Sequence, residues 1–218
     1  MRNPLILLLS WCPGALGLLL RQKFYPFFLG RCGRKVLFGR FTKFSRPRHI
    51  SIGDFSVISD KVVLDAGGGE SRSPGIDIGN HTFVGAGTKI SCRGGRVAIR
   101  DGSSIGSYCR IVSSGSVEIQ EDVLLAAFCR LGRIPAGLAR GAEKTNHALQ
   151  DRREIIVGKG SWLGVRCYAA PGVRIGEGTV VGAHTVVTQS LPDYVIAVGR
   201  PANVLRHRLP DTGTEAAP

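Results

Sequence analysis

Acidic residues are in short supply in this chain of 218 residues: 16 Asp and Glu stand against 29 Lys and Arg, a net charge of +13. A surplus of that size favours anionic partners, whether nucleic acid, phosphorylated cofactors, acidic glycans or anionic lipid. The chain also lacks a basic helix interleaved with aromatics and any zinc-finger spacing, so nucleic acid is not an expected partner. The six cysteines (Cys12, Cys32, Cys92, Cys109, Cys129 and Cys167) form no C-x-x-C pair or other metal-ligand spacing. They read as reduced thiols in a cytosolic setting, with no metal site expected. Missing too is the run of about 20 apolar residues that a spanning helix requires. The seventeen residues "PLILLLSWCPGALGLLL" (4–20) are broken by Pro13 and Gly14. A signal peptide fits poorly, because only Arg2 precedes the apolar run and no clean small-x-small cleavage site follows it. Beside Arg21, Lys23, Arg31, Arg34 and Lys35, the run reads instead as a segment in the membrane interface. Residues 4–35 would then make a peripheral contact at the cytoplasmic membrane face. The competing reading is that the segment packs on the folded domain or mediates self-association.

What the chain does have is glycine, 30 of them, and a beat of six. Aliphatic residues recur as Ile52, Ile58, Leu64; Ile78, Val84, Ile90; Ile99, Ile105, Ile111; Ile119, Leu125, Leu131; Val157, Leu163, Ala169; and Ile175, Val181, Val187. A helix would need a period near 3.6 and a lone strand only alternation, so six marks one short strand plus one turn. Three such units make an 18-residue coil of a triangular prism with an aliphatic pointing inward on each face. Gly often follows the beat where the backbone turns, as in "IGD", "IGN" and "LGV". Four residues after the beat comes a small residue, such as Ser56, Thr82, Ser103 or Thr179. Cys109, Cys129 and Cys167 share that slot and read as small core fillers.

The expected fold is therefore all-β: a parallel β-helix of about six coils spanning 36–198. A short apolar and basic segment (1–35) precedes it, and an extension (199–218) follows, its end expected to be disordered. Departures from 18 residues all fall after the third beat of a coil, so every insertion leaves one corner of the prism. The longest, 132–154, contains "ARGAEKTNHALQDR" (139–152). Loops of that length inside a compact repeat are usually functional or disordered.

The "[IV]-x-[IV]-G" coils resemble the hexapeptide-repeat acyltransferases, whose fold is a left-handed parallel β-helix. The stretch 155–208, with "WLG", "GVRIGEGTVVGA", "VVT", "LP-Y" and "G-PA" in order, is similar to the closing segment of that group's sugar O-acetyltransferases. The N-terminal portion is similar to acyltransferases of cell-surface polysaccharide biosynthesis. The resemblance implies acetyl-CoA or another acyl-CoA as donor, a homotrimer, active sites between neighbouring subunits, and a sugar or glycan acceptor. Positions matching the family's CoA-contacting slots are Trp162, Val165, Ala183, Thr188, Gln189 and Arg206. Gln189 departs from the frequent Lys of that slot, and Arg206 with Arg208 would compensate as phosphate binders.

Transfer to a hydroxyl needs a group that accepts its proton, and the resemblance implies a histidine on the loop before the "WLG" coil. Of five histidines only His147 lies in the long insertion. It is the expected general base, with Asn146 orienting the acceptor and Glu143, Asp151 or Glu154 fixing the imidazole tautomer. Family members often place this histidine within a few residues of the third strand; here "LGRIPAG" has none and His147 follows Leu131 by sixteen positions. The loop is basic, with Arg130, Arg133, Arg140, Lys144, Arg152 and Arg153, which suits an anionic acceptor. Alternatives are a catalytically inactive trimeric scaffold or membrane-binding module, and a γ-class carbonic anhydrase-like metalloenzyme, whose close pair of coil histidines is missing. A serine acetyltransferase or a sugar nucleotidyltransferase would be expected to carry an additional domain.

Overall fold

The computed structural model describes residues 9–67, 75–132 and 154–208. Short strands stack into three sheets, parallel except for the last strand of the second, and these are the three faces of a prism. The first face runs Arg31–Cys32, Ile50–Ile52, Ile76–Ile78, Arg96–Ile99, Ser116–Ile119, Ile155–Val157 and Arg174–Ile175. The second begins at Leu37–Phe38 and the third at Lys43–Ser45. The beat of six is the register of the sheets: Ile52, Ile78, Ile99, Ile119, Val157 and Ile175 are successive Cα partners. None of the six is more than 1 % exposed. Burying an aliphatic side chain of this size contributes about 1.5–3 kcal/mol, and the core is a column of such contributions.

Among the described residues there are seven coils, one more than the aliphatic pattern implies. The added coil begins at Arg31–Cys32, inside the stretch expected to be an N-terminal segment, and its inward residues are Cys32, Phe38 and Phe44. These keep the spacing of six, but a thiol and two aromatics stand where the other coils carry aliphatics. The larger rings fill the first coil. Phe38 and Phe44 each meet the ring of buried Tyr25 edge-on at 5.3 Å.

Tyr25 follows helix Gly14–Phe24, which lies over that end. Arg21 is only 3 % exposed. Its Nε donates to the Phe38 carbonyl at 2.9 Å, and its Nη1 donates to the carbonyls of Cys12 at 2.8 Å and Leu9 at 3.3 Å. The N-terminal segment thus packs on the folded domain along one side. No described helix is long and apolar enough to cross a membrane. At the other end Val195–Val198 extends the second face, and Asn203–His207 returns antiparallel to it. The extension expected from 199 onward therefore begins as a strand that covers an otherwise open sheet edge.

The corner between third and first faces takes every long connection, as the spacing predicts. A 3-10 turn, Pro47–His49, sits there in the first coil, and residues 68–74 and 133–153 follow Val63–Asp65 and Arg130–Gly132. The small-residue slot carries a second function beyond filling. The thiols of Cys109, Cys129 and Cys167 donate to the carbonyls of Ala126, Gly164 and Gly182 at 3.2, 3.1 and 3.0 Å. The hydroxyls of Thr88 and Ser103 do the same toward Gly106 and Gln120 at 2.8 and 2.7 Å. Each slot residue ties its own coil to the turn of the next.

Candidate functional site

Trp162 opens the second-face strand Trp162–Leu163. Alternation along the strand turns Leu163 into the core and Trp162 outward, where it is 49 % exposed. Gly164 then lets the following coil pass directly overhead, since a Cβ there would lie 2.6 Å from the Ala183 nitrogen. The result is that Val165 and Ala183, eighteen residues apart, occupy neighbouring coils at one corner. The His184 N–H donates to the Val165 carbonyl at 2.8 Å. Arg206 lies on the second face three rungs from Trp162, through Val180 and Ile196. At about 4.8 Å per rung that is roughly 14 Å. Thr188 and Gln189 stand apart from these four, exposed beyond the third-face strand Val186–Val187.

The six expected donor-slot residues therefore occupy the last coils in two groups, one on the second face with its far corner and one beyond the third face. All six are exposed, so a single chain presents them on open surface. His147, Asn146, Glu143 and Lys144 lie outside the described residues, as does Asp151. The described chain on either side of that segment, Gly132 and Glu154, lies at the third-to-first corner, between the coil of Leu124–Leu125 and the coil of Trp162–Leu163.

The other four histidines are accounted for by the corners and the tail. His81 stacks on Phe55 at 5.1 Å, and His49 closes the Pro47–His49 turn. His184 accepts a hydrogen bond at its carbonyl from Arg200 Nε at 2.7 Å, and His207 is exposed on the returning strand. A hollow of ≈ 390 Å³ lined by Phe27, Phe28, Arg46, Pro47, Arg48 and His49 lies on the first coil, at the opposite end from the donor slots.

Ion pairs gather along particular edges. Arg34 pairs with Asp54 at 2.8 Å and Arg40 with Asp60 at 3.4 Å. Arg100 reaches both Asp77 at 3.7 Å and Glu118 at 3.4 Å. Hydrogen bonds from the Arg34 backbone and side chain hold the Asp54 carboxyl below its ordinary value, and the Asn80 side chain and backbone do the same for Asp101. The Cys92 thiol is pushed up to about 12 by burial, and Cys129 to about 12, first through its hydrogen bond with Cys109. Both stay protonated at neutral pH and neither serves as a thiolate nucleophile.

Sequence reasoning missed a surface that register makes plain. Lys89, Arg110 and Arg130 are consecutive Cα partners on the third face. Beside them, at the second-to-third corner, Tyr108 stacks on Phe128 at 5.4 Å, and the Arg166 guanidinium lies 5.5 Å from the Phe128 ring centre. The signal was present in the chain as "YCR" (108–110), "FCR" (128–130) and "RCY" (166–168), each centred on a slot cysteine.

The sequence profile of the family described as "Bacterial transferase hexapeptide (six repeats)" matches residues 154–189. A probable acetyltransferase of Mycobacterium tuberculosis is 28 % identical over 137 residues, which span 61 % of this chain and 44 % of the relative. The putative colanic acid biosynthesis acetyltransferase WcaF of Escherichia coli is 43 % identical over 65 residues, 30 % of this chain and 36 % of the relative. The chain thus spans less than half the length of either relative. Among solved structures, AntD, an N-acyltransferase from Bacillus cereus in complex with dTDP and coenzyme A, shares the fold. Its TM-score is 0.58 at 21 % identity, over 86 % of this chain and 89 % of AntD. With the repeat profile and this shared fold in agreement with the coils, the chain has the left-handed parallel β-helix fold built on hexapeptide repeats, and its sequence is similar to acetyltransferases.

Proposed function

We propose that this protein is an acyl-CoA-dependent O-acyltransferase that acetylates a sugar hydroxyl during polysaccharide or glycolipid biosynthesis. The observation that carries the reading is the folding of the 155–208 motif string: residues scattered along the sequence, Trp162, Val165 and Ala183, come together on adjoining coils. Trp162 and Val165 lie in the coil that follows the long insertion, and Ala183 in the next one. Acetyl-CoA as donor is supported by the names of the acetyltransferase relatives and by the coenzyme A bound in AntD.

In the proposed reaction, His147 accepts the proton of the acceptor hydroxyl as its oxygen attacks the thioester carbonyl. Asn146 orients the acceptor, Lys144 meets its negative charge, and one of Glu143, Asp151 or Glu154 fixes the imidazole tautomer. Backbone N–H groups steady the tetrahedral oxyanion. Collapse breaks the carbon–sulfur bond, and the imidazolium returns its proton to the departing thiolate, leaving acetylated sugar and free CoA. Mass spectrometry of products formed from acetyl-CoA and a panel of hydroxyl-bearing and amino-bearing sugars tests the reading. An ester on a hydroxyl is the expected product, and acylation confined to amino sugars would replace O-transfer by N-transfer.

The open surface around the donor slots fits assembly as a homotrimer in which a second copy supplies the other wall. The second face offers a surface for it: Leu37, Phe83, Leu124 and Trp162 point outward and are 37, 41, 44 and 49 % exposed. We further infer peripheral contact with the cytoplasmic membrane face through the N-terminal segment. While Arg21 turns one side of the helix onto the prism, Trp11, Leu16, Leu19 and Phe27 are 60–80 % exposed, with exposed Lys23 and Arg31 nearby. Co-sedimentation with anionic vesicles that is lost in Trp11→Ser/Phe27→Ser is the expected result.

A further inference from the structure

We infer that the ladder Lys89–Arg110–Arg130, with Arg166 at its edge, is the binding surface for a diphosphate group on the acceptor. This deepens the acyltransferase reading and rests on it for the identification of the ligand as acceptor. The starting point is an electrostatic cost. Like charges directly opposite one another on adjacent strands repel, and here three occur in succession. Elsewhere the fold neutralises such charges, as Asp54, Asp60, Asp77 and Glu118 do for Arg34, Arg40 and Arg100. Among the described residues no carboxylate lies within 4 Å of Lys89, Arg110, Arg130 or Arg166.

The shape of the charge selects the ligand. Rungs of about 4.8 Å spread the three cations over roughly 10 Å, too long for one carboxylate and suited to a linear group with several anionic oxygens. Two of the three are arginines, whose planar forks match phosphate oxygens two at a time. The aromatic column flanks the ladder and is rigid. Tyr108, 54 % exposed, packs between Phe128 and the backbone of Gly87, where a Cβ would lie 2.6 Å from its ring carbons. Phe128 in turn carries Arg166 on its other face. Apolar rings beside the cations displace water on that side and strengthen their attraction for an anion. The ladder also ends where it would be useful, because Arg130 belongs to the strand Arg130–Gly132 that feeds the long insertion. A second copy of the chain suits the apolar second face better than this cationic third face.

The test measures binding of inorganic pyrophosphate, uridine diphosphate and farnesyl diphosphate to the full-length protein, with acetyl-CoA binding measured in parallel. In Arg110→Ala/Arg130→Ala the diphosphates are expected to bind about tenfold or more weakly, with acetyl-CoA affinity unchanged. The Arg110→Lys/Arg130→Lys variant should recover part of the loss, which a merely structural role of these side chains would not produce. Whichever of the nucleoside and lipid diphosphates binds more tightly than pyrophosphate identifies the source of the group. Unaltered diphosphate binding in the alanine variant overturns the proposal. So does a parallel loss of acetyl-CoA affinity, which would assign the ladder to the donor's own phosphates. Wild-type protein that binds diphosphates at the ladder but no acyl-CoA upholds the ladder as a diphosphate site and refutes the transferase reading and the acceptor role with it.

Discussion

Arg21 is a cation placed where most proteins would place an aliphatic, beneath a helix at the end of a β-helix. Its guanidinium donates to three main-chain carbonyls, so the charge is compensated by peptide dipoles. Truncation to Ala removes every one of those donors. Arg21→Ala is expected to lower stability by about 2–4 kcal/mol in denaturant titration, because hydrogen bonds to charged groups exceed the neutral average and buried carbonyls lose a partner. The turn carboxylates set the acid limit. Asp54 and Asp101 ionise more readily folded than unfolded, held by hydrogen bonds from Arg34 and Asn80. Their contribution is therefore full above the unfolded carboxyl value of about 4 and is lost as pH falls through the lower folded value. Melting temperature should drop on acidification below about pH 4, less so in Asp54→Asn/Asp101→Asn. The thiols offer a further check. With Cys92, Cys109, Cys129 and Cys167 buried, native protein should expose no more than Cys12 and Cys32 to a thiol reagent, and all six after unfolding.

Coils and their insertions show why some elements could be read from the chain and others not. Six coils announce themselves because each inward residue is aliphatic and, within a coil, successive inward residues are always six apart. The first coil keeps the spacing but substitutes Cys32, Phe38 and Phe44, and the two rings meet Tyr25 at the end covered by the N-terminal helix. A pattern search for aliphatics passes over it. Asn203–His207 escapes for a different reason: it runs antiparallel, contributes nothing to the inward column, and is exposed along its length. Of the candidate site, the expected donor-slot residues stand out in the chain as a motif string, but their separation into two groups follows from which face each coil position meets. The cation ladder was hidden because insertions make its members 21 and then 20 residues apart, so only register aligns them. At this scale the inward column is the sensitive part. Ile111→Ala, at a fully buried beat in the middle of the stack, is expected to cost about 2–5 kcal/mol in denaturant titration.

In the proposed account the molecule divides its labours by face: an apolar second face for another copy, a cationic third face for an anion, and a corner from which the long insertion departs. If the second face is the trimer surface, Leu124→Glu/Trp162→Glu should yield monomers by light scattering while the circular dichroism of the coils is unchanged. Surplus positive charge then has a use beyond solubility, drawing an anionic acceptor toward the site and making its binding weaken with salt. All of this serves the proposed transfer from acyl-CoA, and the proton acceptor is its central element. The most direct test is CoA release from acetyl-CoA in the presence of an acceptor sugar, comparing wild type, His147→Ala and His184→Ala. The account predicts turnover by wild type, a fall of about 10²–10⁴-fold in His147→Ala with acetyl-CoA still bound, and near wild-type rates in His184→Ala. Near wild-type turnover by His147→Ala, or loss of turnover in His184→Ala alone, would contradict it.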